Sequence, residues 1–174
     1  MRADHSLRQD PLRQDDPLRF EIDYLARHEQ HLPLIAEWQM AEFGYLNPAV
    51  TLADRMTRLA GALQTKALPL ALVALSEEGE PVGAAGLQAS TMTHDHLSPW
   101  LSSVVVPSCY RGQGVASALA LSAVKEARRL GFGELYLLTP QSEALYARLG
   151  WQTLDVTMHR ATRLTVMSRA TSVN

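Results

Sequence analysis

The stretch from Val104 to Ser117 constrains the fold most, because a strand-like run of valines leads into a long helix through a glycine-punctuated turn. Gly112 and Gly114 precede an alanine-rich pattern of helical period that extends to residue 130. The first turn of a helix carries unpaired amide donors and the positive end of the helix dipole. Glycines let a phosphate group approach that backbone closely. The turn therefore predicts an anion site made of main-chain amides.

Two common phosphate-binding patterns fail at this turn. A Walker P-loop ends in Gly-Lys-Ser or Gly-Lys-Thr, whereas Gly114 is followed by Val-Ala-Ser. A dinucleotide-binding fingerprint requires a third glycine where Ser117 stands, and the acidic residue expected at the end of the next strand is missing. A nucleotide-dependent oxidoreductase is therefore disfavoured. The pattern that remains is Arg111-x-x-Gly114-x-Ala116, between a predicted strand and a predicted helix.

Composition narrows the class of protein. The chain has 174 residues, 47% of them hydrophobic and 20% charged, which suits one domain with one core. A formal net charge of -2, without a run of Lys and Arg, predicts neither a nucleic-acid nor a membrane partner. No apolar run reaches the about 20 residues that a membrane span needs. The single cysteine, Cys109, cannot form an internal disulfide, which favours the reducing cytoplasm.

Residues 1–19 differ from the rest of the chain. They contain a short imperfect repeat, LRQDP and then LRQDDP, with balanced charges. We interpret them as a flexible N-terminal arm, although a cloning or start-site artefact explains the repeat equally well. Residues 20–174 then form the single folded domain.

Hydrophobic periodicity and breaker residues predict seven strands and four helices in this domain. Pro33 suits the first turn of a helix, and Thr51 suits an N-cap with Asp54 in the first turn. The order β-α-α-β-β-β-α-β-α-β-β predicts an α/β fold with a mixed, mostly antiparallel sheet and one central parallel βαβ crossover. The predicted strands are 20–25, 68–75, 82–87, 100–106, 135–139, 152–158 and 164–167, and the third and fourth helices are 115–130 and 142–149.

The two motifs together resemble the GNAT superfamily of N-acetyltransferases. Arg111-x-x-Gly114-x-Ala116 is similar to the first signature of that superfamily, and residues 144–151, Ala-Leu-Tyr-Ala-Arg-Leu-Gly-Trp, resemble the second at the right spacing. The resemblance covers about residues 20–170 and implies the GNAT fold, in which two central strands splay apart. Residues 42–48 and 98–101 look like an uncharacterised bacterial subgroup. The short connection 139–143 is similar to that of the actin N-terminal acetyltransferases.

The resemblance implies an enzyme that moves an acetyl group from acetyl-CoA to an amine by direct attack, without a metal. Tyr146 occupies the position of the catalytic tyrosine, a general acid for the departing CoA thiolate. The valines would pair their main chain with the pantetheine arm, and the turn would bind the pyrophosphate. The implied cofactor-binding residues are Val104, Val105, Val106, Arg111, Gly112, Gln113, Gly114, Val115, Ala116 and Ser117.

The acceptor side stays open. Relatives often place a glutamate where Ser102 and Ser103 stand here, so a water relay, Asp95 or Glu42 would have to serve as general base. The acceptor is a small amine or a peptide N-terminus, and a homodimer is compatible with the resemblance. Because the glutamate is missing, a non-catalytic acyl-CoA-binding sensor remains the alternative. The candidate acceptor-site residues are Phe43, Tyr45, Trp100, Ser102 and Asp95.

The sequence favours neither a metal site nor an acyl-enzyme. His94-Asp95-His96 resembles part of a metal site, but three or four convergent ligands are needed and no second cluster accompanies it. Cys109 lies near the predicted acyl-donor site, yet no thiol-activating residue is apparent beside it, so an acyl-enzyme is not expected.

Overall fold

The computed structural model describes residues 16–172, so most of the predicted N-terminal arm, residues 1–15, lies outside it. Within the described part, Leu18 already packs against the core. The strands are β1 (Phe20–Tyr24), β2 (Leu70–Ser76), β3 (Pro81–Gln88), β4 (Trp100–Val105), β5 (Glu134–Thr139), β6 (Gln152–His159) and β7 (Thr162–Ala170). The helices are α1 (Leu32–Phe43), α2 (Leu52–Gly61), α3 (Val115–Arg129) and α4 (Glu143–Arg148).

All seven strands form one sheet in the order β1-β2-β3-β4-β5-β7-β6. Among the strands of residues 16–172, only β4 and β5 pair in parallel, and α3 makes the crossover between them. Every other neighbouring pair is antiparallel. The predicted element order and the predicted mixed sheet are therefore confirmed.

Local sequence signals explain where the first helices begin. Pro33 stands in the first turn of α1, where its missing N–H costs no helical hydrogen bond. Thr51 and Asp54 form a capping box at α2: the Thr51 N–H donates to Asp54 at 2.8 Å, and the Asp54 N–H donates to the Thr51 hydroxyl at 3.1 Å. These hydrogen bonds hold the pKa of Asp54 below its ordinary value. The predicted cap is thus present.

The helices cover both faces of the sheet. Side chains alternate along a strand, so Leu70, Leu72 and Ala74 of β2 face one core cluster, with α3 and α4. The intervening residues of β2 face a second cluster, with α1 and α2. Within residues 16–172, no helix combines the length and apolar character that crossing a bilayer requires.

The last hairpin is longer than predicted. His159 pairs with Thr162 across a two-residue turn, in which Arg160 adopts a left-handed φ of 54°. β7 consequently runs from Thr162 to Ala170 rather than over the apolar residues 164–167 alone. β7 lies beside the exposed edge strand β6, and only its middle residues, 164–167, are buried. Its ends carry polar residues, so the apolar pattern of the sequence marked only the middle of the strand.

Gly83 of β3 allows α3 to pack closely on the sheet. A Cβ at this position would lie 2.7 Å from Val115 Cγ1, 3.2 Å from Leu119 Cδ1 and 3.2 Å from the Val105 carbonyl oxygen. Because Val115 is the first residue of α3, the absence of a side chain at Gly83 helps to set where this helix begins above the sheet.

We expect Gly83→Ala to lower the free energy of unfolding by about 1–3 kcal/mol, because the added methyl group must displace α3 or distort β3. Urea denaturation measures this change. Gly61→Ala is the matched control: no atom lies within 4 Å of a Cβ placed there. That variant should be unchanged or more stable by up to about 1 kcal/mol. Equal stability of both variants would contradict the close approach.

Candidate active site

A cleft opens between β4 and β5, the central parallel strands. They pair through Trp100 and Tyr136 alone, and the Tyr136 N–H donates to the Pro99 carbonyl at 3.0 Å. From that point toward their carboxyl ends the two strands no longer pair. The splayed strand pair that the sequence analysis expected is therefore present.

A β-bulge in β4 shapes one wall of this cleft. The pairing between β3 and β4 shifts between Gly86 with Ser102 and Ala84 with Val105, so β4 holds one residue more than β3. Ser103 in the bulge has a left-handed φ of 52°, which is uncommon for a residue other than glycine. The bulge turns the β4 backbone at the point where the strands separate. No sequence signal had indicated it.

A small cavity of about 130 Å³, here called the cleft cavity, occupies the opening. It lies between β4, the segment from the end of β5 into α4, and the end of α1 with the residues that follow it. Its lining includes four of the predicted site residues, namely Phe43, Tyr45, Val104 and Tyr146, together with Glu42, Leu101, Ser103, Thr139, Pro140, Gln141 and Ser142.

The Tyr146 phenol is a buried titratable group that lines the cleft cavity. The Tyr146 side chain is only 7% exposed, and its ring meets Trp151 edge to face with centroids 5.7 Å apart. Burial raises the pKa of the Tyr146 phenol from 10.0 to about 12. The phenol is therefore neutral at physiological pH and able to donate a hydrogen bond into the cleft.

The glycine turn before α3 is open to an anion. Gly112 and Gly114 have left-handed φ values of 75° and 83°, and no atom lies within 4 Å of a Cβ placed at either position. The first helical hydrogen bond runs from the Ala118 N–H to the Gly114 carbonyl, so the amides of Val115 to Ser117 lack partners inside the helix. This arrangement fits the diphosphate of CoA.

Two side chains of the turn make structural contacts. The Arg111 Nε donates to the Val106 carbonyl at 2.9 Å, and its guanidinium reaches Glu42 at 3.2 Å. The Gln113 side chain accepts the Leu18 N–H at 3.2 Å. Arg111 thus connects the turn to the end of α1, and Gln113 connects it to Leu18, two residues before β1.

A larger cavity of about 520 Å³, here called the α2 cavity, adjoins the cleft on the side of α1 and α2. The two cavities share the lining residues Phe43, Leu101 and Ser103, so they meet at the bulge. Ser102 also lines the α2 cavity, and its buried hydroxyl has no hydrogen-bond partner among the described residues. This cavity is large enough for a small organic molecule.

The structure brings neither Trp100 nor Asp95 to these cavities. Trp100 is 1% exposed, donates its indole N–H to the Leu97 carbonyl at 2.7 Å, and packs against Tyr136 with ring centroids 5.7 Å apart. It lies in the core at the closed end of the cleft. Asp95 is exposed on the loop between β3 and β4. Of the two candidate carboxylates, only Glu42 reaches the cleft cavity.

The side chains of the His94-Asp95-His96 segment and of Cys109 line neither cavity. His94 Nε2 lies within hydrogen-bond distance, 2.8 Å, of Asp155 Oδ2, a contact between the β3–β4 loop and β6. Across residues 16–172, no group of three or more His, Cys, Asp or Glu is arranged to hold a metal ion. Cys109 is exposed and lines neither cavity.

Comparison with known proteins identifies the family. Residues 32–151 match the model of the acetyltransferase (GNAT) family, and the chain belongs to it. It is 35% identical over 82 residues to YjgM of Escherichia coli K12, an uncharacterised N-acetyltransferase. That match spans 45% of this chain and 48% of YjgM, about half the length of each.

Two solved structures share the fold at low identity. The NatC complex bound to Gag peptide and CoA aligns at 16% identity and a TM-score of 0.67, covering 88% of this chain and 99% of the other. An aminoglycoside 6'-N-acetyltransferase complexed with coenzyme A aligns at 14% identity and a TM-score of 0.68, covering 88% and 98%. At such identities the likeness establishes the GNAT fold.

The buried phenol makes a prediction about stability at high pH. The Tyr146 pKa is about 12 in the folded chain and about 10 when unfolded, so the unfolded chain ionises first. The stabilising effect of the neutral phenol is complete below pH 10 and is lost as the pH rises toward 12. Between pH 8 and pH 11 the native protein should lose roughly 1 kcal/mol more stability than Tyr146→Phe.

Urea unfolding of both proteins at the two pH values measures this difference. The variant is its own control, because every other titrating group is common to the two proteins. An equal loss of stability in both would mean that the phenol is not buried.

Proposed function

We propose that this chain is an N-acetyltransferase that moves an acetyl group from acetyl-CoA to a primary amine. The amine would attack the thioester carbon directly, the new C–N bond would form, and the C–S bond would break to release CoA. The observation that carries the proposal is a neutral phenol in a cleft between two splayed strands, in a chain of the GNAT family. The acceptor is a small amine or a peptide N-terminus.

The donor would bind along β4 and the turn before α3. In this proposal the main chain of Val104, Val105 and Val106 pairs with the pantetheine arm, and the amides from Gly112 to Ser117 bind the diphosphate. The open space around the two left-handed glycines supports this assignment. Arg111 belongs to the same turn, and its bonds to the Val106 carbonyl and to Glu42 keep that turn in place.

Tyr146 would stabilise the departing thiolate. A phenol with a pKa near 12 is a weaker acid than a thiol, whose ordinary pKa is about 8.5. That gap opposes full proton transfer by roughly 5 kcal/mol. We therefore assign to Tyr146 a hydrogen bond that strengthens as negative charge builds on sulfur, and the proton that completes the thiol would come from the solvent or from the amine.

The proton of the attacking amine would leave through water. Among residues 16–172, Glu42 is the only carboxylate that lines either cavity, and Arg111 binds one of its oxygens. The Ser102 hydroxyl is buried and has no hydrogen-bond partner among the described residues, so it offers a hydrogen-bond site for a relay water beside the α2 cavity. A relay of this kind would replace the direct carboxylate base that the sequence lacks.

The second candidate function is a non-catalytic acyl-CoA sensor, which the serines at positions 102 and 103 favour. Release of free CoA from acetyl-CoA, measured against a panel of primary amines and peptides, separates the two functions. Amine-dependent, saturable CoA release supports the enzyme. Saturable acetyl-CoA binding without turnover on any acceptor would establish the sensor instead.

Replacing Tyr146 with phenylalanine tests the proposed chemistry. The variant keeps the ring that packs against Trp151 but loses the hydroxyl, so we expect kcat to fall by roughly 10- to 1000-fold. The Kd for acetyl-CoA should change less than about threefold. Steady-state kinetics and calorimetric titration measure the two quantities. An unchanged kcat would exclude Tyr146 from the reaction.

The proposed diphosphate site is tested by an isosteric pair at Gly114. Asp and Asn have similar size and both tolerate a left-handed φ, so Gly114→Asp and Gly114→Asn share any backbone strain. Only the aspartate repels the diphosphate. We expect acetyl-CoA binding to weaken at least about tenfold more in Gly114→Asp than in Gly114→Asn, as measured by titration. Equal affinities would place the diphosphate elsewhere.

A further inference from the structure

The charged side chains that line the α2 cavity are positive. Its charged lining residues are Arg55 and Arg58, which lie one turn apart on α2. Within the part of the chain that the structure describes, no Asp or Glu lines it. A cavity with cationic groups and no anionic group is suited to a ligand that carries a negative charge.

These two arginines have no acidic partner within the described residues. Neither Arg55 nor Arg58 lies within 4.0 Å of a carboxylate of the described residues. Five other arginines do, namely Arg19, Arg27, Arg111, Arg129 and Arg163. The nearby Asp54 hydrogen-bonds Thr51 in the capping box. Among residues 16–172, their guanidinium groups thus remain available to a ligand.

Arg55 is the more deeply placed of the two. Its side chain is half-buried, and its Nε atom is fully buried without a hydrogen-bond partner among the described residues. Burial, followed by the nearby charge of Arg58, lowers the pKa of the Arg55 guanidinium. A buried donor that lacks a partner is costly, and an anion that binds there would remove this cost.

The remaining polar groups of the cavity are neutral. Gln39 is 6% exposed, and Gln88 and Ser102 also contribute to the lining. Because the cavity meets the cleft at Phe43, Leu101 and Ser103, a molecule held by the arginines can extend toward Tyr146. Positive charge in the cavity also disfavours an ammonium ion and so favours the neutral amine that must attack.

We propose that the acceptor is a small amino acid-type molecule, with a carboxylate bound by Arg55 and Arg58 and a primary amine directed into the cleft. The inference rests on the proposed function, since it names the acceptor of the same reaction. A guanidinium matches a planar carboxylate through two parallel hydrogen bonds. The cavity volume of about 520 Å³ accommodates an amino acid or a dipeptide.

Matched acceptors test the proposal. A panel of L-α-amino acids is compared with the corresponding carboxamides, with spermidine as a cationic acceptor. The amine of a carboxamide is less basic and more often neutral, so intrinsic reactivity favours the carboxamide. Carboxylate recognition should reverse that order and raise kcat/KM for the acids by at least about tenfold. Equal or better turnover of carboxamides or spermidine would overturn the inference while the proposed function stands.

Substitutions of the two arginines test whether they produce the preference for a carboxylate. Arg55→Met and Arg58→Met should each raise KM for the acid by roughly 10- to 100-fold, with KM for acetyl-CoA unchanged and discrimination against the carboxamide reduced. Arg55→Lys should restore part of the preference. Arg128→Met is the control, because Arg128 is exposed on α3 and lines neither cavity. Unchanged discrimination in both cavity variants would refute the assignment.

A binding measurement separates failure of this inference from failure of the proposed function. If no amine turns over, the transferase proposal fails, and N-acetyl amino acids are compared with their carboxamides by the shift in Tm. Stabilisation by the acids alone, lost in Arg55→Met, would keep the carboxylate site. Equal shifts, or no shift at millimolar ligand, would remove it.

Discussion

The arrangement of the whole site depends on the single pairing between Trp100 of β4 and Tyr136 of β5. Trp100 is anchored there by its hydrogen bond to the Leu97 carbonyl and by its contact with Tyr136. This closed end keeps the sheet continuous, so β5, β7 and β6 remain attached to the first four strands. Because no further pairs follow, the opposite ends of β4 and β5 separate, and the cleft lies inside an otherwise continuous sheet.

Strand β3 pairs with β4 on the edge opposite the cleft, and its glycines leave room for the bulge that shapes the cleft. A Cβ on Gly86 would lie 3.1 Å from the Ser102 hydroxyl, and one on Gly83 would collide with Val115. The two glycines therefore let β3 accommodate both the bulge of β4 and the start of α3. The left-handed Ser103 in that bulge costs free energy, which the surrounding pairing of β3 with β4 must offset.

Patterns within the sequence predicted the parts of the fold that depend on local chemistry. The Thr51 cap of α2 and the glycine turn before α3 both follow from residue type and spacing. Tertiary contacts decided the rest. Trp100 lies in the core because Tyr136, distant in sequence, covers it. Arg55 stands on a helix whose polar residues resemble a solvent-exposed face, so no pattern indicated the cavity beside it.

The positions of the two proposed anion sites bear on how transfer would proceed. The amides of α3 lie on one face of the sheet and the arginines of α2 on the other, so the two anionic substrates of the proposed reaction would enter from opposite sides. Their charges would stay apart, and they would meet at the cleft beside neutral Tyr146 and Ser103. Exposed Cys109 lines neither cavity and offers no acyl relay between them. This geometry favours one complex holding both substrates, which direct attack requires.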